Sequence, residues 1–130
     1  NNLVHFNAQK TKYIQFSNRQ NLTDSHIFFN DVNIPTSPSI DILGVTLTTN
    51  LSWTHYVRSI AKNASKKLGL LYRVREFFTD EQLAVIYKSH VRSQMDYCSP
   101  LWGGSGVVAL RQLDKIQNKA IRLINNPAIT

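Results

Sequence analysis

The sequence contains little cysteine, few acidic residues and no long apolar run. Its one cysteine, Cys98, excludes an internal disulfide framework and a zinc site built from several cysteines. No apolar run approaches the roughly 20 residues that a membrane helix needs, so we expect no membrane partner. The first residues lack both a methionine and a signal-peptide pattern, and we therefore expect the chain to be a segment of a longer protein.

Patterns typical of catalysis are also absent. Asp24, Asp31 and Asp41 lack the paired spacing expected of carboxylates that bind two catalytic metal ions. The four histidines share no metal-ligand spacing with one another or with the cysteine, so we expect no metal site. Lys10 and Thr11, just before a predicted strand, are a candidate for positioning a phosphate. We expect this chain by itself to catalyse no reaction.

Positive charge is abundant and unevenly distributed. Fifteen Lys and Arg against eight Asp and Glu give a net charge of +7, which favours an anionic partner. Residues 1–50 hold three residues of each sign, whereas residues 51–130 hold twelve basic and five acidic ones. With 42% hydrophobic residues the chain has enough apolar material for a core. The excess of positive charge therefore belongs to the second part of a folded protein.

Residues 1–50 carry short patterns typical of β-strands. Residues 12–16 alternate around Tyr13 and include aromatic and branched side chains. Residues 27–29 and 32–34 are apolar runs separated by two turn-forming residues, which predicts a hairpin. Residues 40–47 predict a third strand, interrupted by Gly44.

Residues 51–130 change to the helical period. Apolar residues recur at spacings of three and four from Trp53 to Leu71, and a capping box at Thr79 begins a second helix that ends before Pro100. The inward face predicted for this second helix consists of Leu83, Ile86, Tyr87, His90 and Val91. A third helix is predicted over residues 107–125, and its outward face would carry Arg111, Lys115, Lys119 and Arg122. The predicted fold class is therefore α+β, with short antiparallel strands in residues 1–50 and a three-helix bundle in residues 51–130.

The first of these helices carries a basic face. Arg58, Lys62, Lys66 and Arg73 fall together opposite the apolar stripe, at about 100° per residue. They could contact nucleic-acid phosphates, or they could be an ordinary solvated surface. No acidic residue precedes Glu76 in this part of the chain, which favours phosphate binding, because solvated helices usually interleave both signs.

Aromatic residues accompany the basic ones. They could stack on nucleic-acid bases, but such residues on apolar faces and at helix ends more often pack in the core. The candidates are Trp53, Tyr56, Tyr72, Phe77, Phe78 and Trp102.

Six stretches, in order along nearly the whole chain, together carry a resemblance to a known family. The stretches are NAQKTKYIQFS (7–17), ILGVTL (42–47), LSWTH (51–55), KKLGLL (66–71), YKSHVRSQMDYCSPLWGG (87–104) and LDKIQNKAIR (113–122). As a series they resemble the C-terminal palm and thumb segment of non-LTR retrotransposon reverse transcriptases, which are RNA-directed DNA polymerases.

The resemblance implies different roles for the two parts of the chain. Residues 1–50 would be the last palm strands, and residues 51–130 the helical thumb and connector that hold the template–primer duplex, RNA–DNA or DNA. Leu43, Gly44 and Val45 would form the primer grip, and Lys10 would assist pyrophosphate departure or nucleotide orientation. The cations expected to bind nucleic acid are Arg58, Lys62, Lys66, Arg73, Lys88 and Arg92.

The resemblance also implies what this chain would need from elsewhere. The family's paired aspartates, which bind Mg²⁺, and its fingers domain would lie upstream as partners, and this chain would bind no cofactor itself. The location implied is intracellular, in nucleus and cytoplasm. Two alternatives remain open: a degenerate or domesticated element fragment that acts as a small basic nucleic-acid-binding module, and a helical interaction domain whose charge serves only solubility.

Overall fold

The computed structural model describes residues 4–19 and 26–125, so Asp24 lies outside the described residues. The chain divides into two compact units, Asn1–Trp53 and Thr54–Thr130. The described part of the first unit contains two small antiparallel sheets of two strands each, and that of the second unit is helical. The fold class is therefore α+β. No helix in the described residues combines the length and apolar character needed to cross a membrane.

The first hairpin of the first unit was predicted from the sequence and is confirmed. Strands β1 (Ile27–Phe29) and β2 (Val32–Ile34) pair antiparallel, with Ile27 opposite Ile34. Asn30 and Asp31 between them both adopt positive φ, at 48° and 60°. Two left-handed residues in a two-residue loop match the type I′ turn that the strand twist favours, and Asn and Asp tolerate this region better than most residues.

The second hairpin corrects the prediction of one continuous strand over residues 40–47. The chain instead forms β3 (Ser39–Ile42) and β4 (Val45–Thr48), and it reverses at Leu43 and Gly44. Both turn residues have positive φ, 51° and 79°. The glycine permits this turn at no steric cost, whereas the leucine gives no turn signal in the sequence.

A strand over residues 12–16 was also predicted, and this prediction is wrong. Tyr13 forms only an isolated parallel bridge with Thr36, in which its carbonyl oxygen accepts a hydrogen bond from the Ser37 amide at 2.7 Å. The preceding residues Ala8–Lys10 form one 3₁₀ turn. Alternation alone marks a segment able to pair, but a strand also needs a neighbour along its length.

The second unit is organised around its first helix, α1 (Thr54–Val74). One face of this helix is buried, as its apolar stripe predicted. The buried residues are Tyr56, Val57, Ile60, Ala61, Ala64, Leu68 and Leu71. Helix α5 (Val107–Ile124) packs against α1 and ends at Asn125, which adopts a left-handed conformation with φ 47°.

A helical stretch with three parts follows α1. Helix α2 (Asp80–Ile86) begins with the predicted capping box, in which the side chains and amides of Thr79 and Gln82 bond reciprocally. It continues through a π-helical segment (Tyr87–Arg92) into α3 (Ser93–Asp96), and a short α4 (Ser99–Trp102) follows. The wider turn changes which side chains face inward.

Two predictions for this stretch are wrong in detail. His90 was expected on the inward face, but the π-helical segment leaves it exposed while Tyr87 and Val91 are buried. Pro100 was expected to end the helix, but α3 already ends at Asp96, and Cys98 takes a left-handed conformation with φ 53°. Pro100 instead lies in the first turn of α4, where its missing N–H costs nothing.

Candidate nucleic-acid-binding groove

A groove runs along the surface between α1 and α5. It consists of two adjoining cavities of about 490 Å³ and about 300 Å³, which share Ser65 and Lys119 in their walls. Both walls belong to the second unit. The groove is therefore a property of the helical unit alone.

Small residues on α1 keep the groove open. Ala61, Ser65 and Gly69 recur every fourth position and therefore line one side of the helix. A Cβ atom added at Gly69 would have no neighbour within 4 Å. On the facing helix, Ile116 and Leu123 contribute apolar side chains to the walls. The floor is therefore apolar and the rims are left to longer side chains.

Those longer side chains are cationic and come from both helices. Arg58 and Lys62 contribute from α1, and Lys115, Lys119 and Arg122 from α5. All five are exposed. Long basic side chains that lean over an apolar surface keep their charged ends in water, where an anion can reach them.

The groove has no acidic counterpart within its walls. None of the described residues that line either cavity is Asp or Glu. The ion pair between Arg92 and Asp96 lies elsewhere, where the π-helical segment continues into α3. Positive charges that converge on a concave surface raise the local concentration of anions and speed the association of anions with that surface.

One end of the groove combines an aromatic ring with a sixth cation. Tyr72 lines the larger cavity and is 55% exposed, and the guanidinium of Arg75 lies 4.1 Å from the centroid of its ring. Arg75 reaches this position because it follows Tyr72 by three residues, close to one turn. Leu68 and Leu123 line the same end. This end offers flat and apolar surfaces beside positive charge.

The structure places the predicted cations in four settings. Arg58 and Lys62 line the groove; Lys66 and Arg73 are exposed on α1 but are not among its lining residues. Lys88 is exposed on the π-helical segment. Arg92 donates from Nε to a carboxylate oxygen of Asp96 at 3.3 Å. The predicted set therefore does not form one surface.

Sequence reasoning missed half of the groove. The predicted outward face of α5 contained Lys115, Lys119 and Arg122, but nothing local indicated that these residues lie beside Arg58 and Lys62. The signal that could have added them is the similar spacing of cations on both helices. Which helix faces meet is decided only by packing between residues far apart in sequence.

The aromatic candidates divide between core and surface. Tyr56 and Trp102 are buried, and Trp102 donates from its indole nitrogen to the Tyr97 carbonyl oxygen at 2.8 Å. Burial raises the pKa of Tyr56, with smaller contributions from Cys98 and Tyr97. Half-buried Trp53 lies in the first unit. The remaining three, Tyr72, Phe77 and Phe78, are exposed.

The candidates of the first unit lie on or near its turns. Leu43 is 85% exposed at the tip of the second hairpin beside exposed Gly44, whereas Val45 is buried at 5%. The predicted primer grip is therefore two exposed turn residues and one inward residue. Lys10 is exposed at the end of the 3₁₀ turn.

The described residues contain no group of three or more His, Cys, Asp or Glu side chains placed to hold a metal ion. The clearest chemical capability of the helical unit is the binding of an anion along the groove. Comparisons with protein-family models, curated proteins and solved structures give no match to this chain.

Proposed function

We propose that this chain belongs to an RNA-directed DNA polymerase of the non-LTR retrotransposon type and that its helical unit holds the template–primer duplex. The observation that carries the proposal is the convergence of cations from α1 and α5 on one groove whose walls contain no carboxylate. The resemblance of the sequence to the palm and thumb segment of that family supports the identity of the duplex.

Duplex holding requires contact with phosphates rather than with base edges. Each phosphate that a Lys or Arg neutralises releases condensed counterions, and the affinity falls with salt accordingly. Four cations contribute this kind of sequence-independent binding along the smaller cavity: Arg58, Lys62, Lys115 and Lys119. Lys66 and Arg73 extend the cationic surface of α1 beyond it.

The first unit would contact the primer end as part of the palm. The exposed tip formed by Leu43 and Gly44 supports this role, because a glycine lets another backbone approach closely. Val45 would support the tip from inside rather than contact the primer. Lys10 would act as an accessory to nucleotide binding. The described carboxylates do not fit a Mg²⁺ site, so no step through that metal is assigned to this chain.

The proposal is tested by the salt dependence of binding to an RNA–DNA hybrid. We expect the full chain to bind the hybrid with an affinity that falls as salt rises. The double variant Lys115→Gln/Lys119→Gln should make the slope of log affinity against log salt less negative by about two. The matched control is Lys12→Gln/Arg19→Gln, which removes two exposed charges from the first unit. We expect the control to leave the slope nearly unchanged.

The outcomes separate the groove from a general charge effect. An equal change in slope for both double variants would contradict a specific role for the groove. Absence of hybrid binding by the unmodified chain would overturn the proposal and favour a helical interaction domain. Equally tight binding to heparin, a polyanion without bases, would favour a small basic binding module over a duplex-holding thumb.

A further inference from the structure

The end of the groove formed by Tyr72 and Arg75 differs chemically from the rest. The smaller cavity, of about 300 Å³, is lined mainly by cations and small residues. The larger cavity adds the exposed ring of Tyr72 and the apolar side chains of Leu68 and Leu123. Phosphate binding does not need these surfaces. Their presence indicates a ligand group that is flat and partly apolar.

The size of this end suits one such group. A cavity of about 490 Å³ lies within the range of roughly 300–1,000 Å³ found for small-molecule sites. Tyr72 offers an exposed ring, and the guanidinium of Arg75, 4.1 Å from the ring centroid, adds a second planar group. Nucleobases stack on both aromatic rings and guanidinium planes.

Cations beside the ring indicate what is attached to the flat group. Lys119 and Arg122 line the larger cavity together with Tyr72, and Lys119 also lines the smaller cavity. A flat group followed by phosphates at this position describes a nucleotide within a strand. The next phosphates of the same strand would continue along the smaller cavity past Lys115 and Lys62.

From these contacts we infer that the Tyr72 end of the groove binds an unpaired nucleotide, with its base against Tyr72 and Arg75 and its phosphate on Lys119 and Arg122. The inference rests on the proposed function, because it assigns the single-stranded part of the same template–primer to this groove. A base within a duplex is stacked on both faces and paired along one edge, and it therefore cannot enter a cavity between two helices. The site would therefore distinguish a strand that extends beyond the duplex from the duplex itself.

The test compares two RNA–DNA hybrids, one blunt and one with a short single-stranded extension. We expect the full chain to bind the extended hybrid more tightly by at least about fivefold, the low end of the loss seen when a stacking aromatic is replaced by alanine. Replacing the bases of the extension by abasic sites, which keeps its phosphates, should remove most of this advantage. A 2-aminopurine in the extension should lose fluorescence when it stacks in the groove.

Variants assign the advantage to Tyr72. Tyr72→Ala should remove most of the advantage of the extended hybrid over the blunt one, whereas Tyr72→Phe should retain it. Phe77→Ala is the matched control, because Phe77 is an exposed aromatic nearby in sequence that is not among the residues lining the groove. Since the side chain of Tyr72 is 55% exposed, circular dichroism should show that the helices of Tyr72→Ala are intact.

Failure of this inference differs from failure of the proposed function. Salt-dependent and equal binding of the blunt, extended and abasic hybrids would overturn the unpaired-nucleotide site and leave duplex holding in place. Loss of the advantage in Phe77→Ala but not in Tyr72→Ala would overturn it as well. If the chain bound none of the hybrids, the proposed function and this inference would both fail.

Discussion

Lys67 donates a hydrogen bond from Nζ to the main-chain carbonyl oxygen of His90, 3.1 Å away, and so joins α1 to the π-helical segment. The neighbouring Lys66 is exposed and makes no such bond among the described residues. Two adjacent lysines on one helix therefore have different environments. The first links two helical segments, and the second presents its charge to solvent.

This difference predicts that Lys67→Met lowers the free energy of unfolding by about 1 kcal/mol, in the range of a hydrogen bond that remains partly exposed. Lys66→Met should change it by less than about 0.5 kcal/mol, as surface substitutions usually do. Urea denaturation of both variants measures the difference. Equal effects of the two substitutions would show that the bond to His90 adds no stability.

The N-terminus of α2 predicts a dependence of stability on pH. A backbone hydrogen bond at Glu81 and, secondly, a hydrogen bond with the Thr79 side chain lower the pKa of this carboxyl below its ordinary value. A lowered pKa in the folded state means that the charged carboxylate stabilises the fold above the unfolded-state pKa. That contribution is lost as the pH falls through the folded-state pKa.

Glu81→Gln should therefore lower the melting temperature at neutral pH, and the difference from the unmodified chain should vanish on acidification. Thermal unfolding followed by circular dichroism across this pH range measures the convergence. A difference that stays constant down to acidic pH would indicate that the ionisation of Glu81 is not linked to folding.

The hydroxyl of Tyr87 predicts an unusual result for removing a polar group. Tyr87 is fully buried in the π-helical segment, and its hydroxyl oxygen has no hydrogen-bond partner among the described residues. Burial is the main cause that raises its pKa. Because an unpaired buried hydroxyl is costly, Tyr87→Phe should leave the free energy of unfolding unchanged or raise it by up to about 1 kcal/mol.

Tyr87→Ala serves as the contrast, since loss of the whole ring should cost roughly 3–5 kcal/mol. Denaturant unfolding gives both values under the same conditions. If Tyr87→Phe were destabilising by more than about 1 kcal/mol, the hydroxyl would have to be satisfied in solution.

The turn of the second hairpin predicts a stabilising substitution. Leu43 has φ 51° although it carries a branched side chain, and Gly44 follows with φ 79°. Asn is preferred over Leu at the first position of such a turn, and the left-handed region costs an ordinary residue roughly 1–2 kcal/mol. Leu43→Asn should therefore raise the free energy of unfolding by up to about 1 kcal/mol.

A substitution at the next position that should have the opposite effect on stability provides the control. Gly44→Ala places a Cβ atom at positive φ and should be destabilising by about 1 kcal/mol. Urea denaturation of the two variants gives effects of opposite sign if the turn is as described. Effects of the same sign would mean that this hairpin does not close through left-handed residues.

Predictions from sequence succeeded where a signal was local. Helices α1 and α5 followed from apolar spacing, the start of α2 from Thr79 and Gln82, and the first turn from Asn30 and Asp31. In each case the residues that decide the structure lie within one turn of one another. Backbone hydrogen bonding and side-chain spacing act over that distance.

Predictions failed where a local signal was ambiguous. Leu43 gave no indication of a turn, so two strands were predicted as one. The π-helical segment at Tyr87–Arg92 changed which residues face inward, and His90 became exposed as a result. A period of 3.6 residues cannot anticipate a turn with i→i+5 hydrogen bonds.

The order of the amino acids alone decided where the charge lies along the chain and which face of each helix is apolar. It did not decide that Lys115 and Lys119 of α5 would line one groove with Arg58 and Lys62 of α1. That arrangement depends on the packing of the two helices, whose contacts join residues distant in sequence. Charge and helical period are local properties, whereas a groove exists only after two surfaces have met.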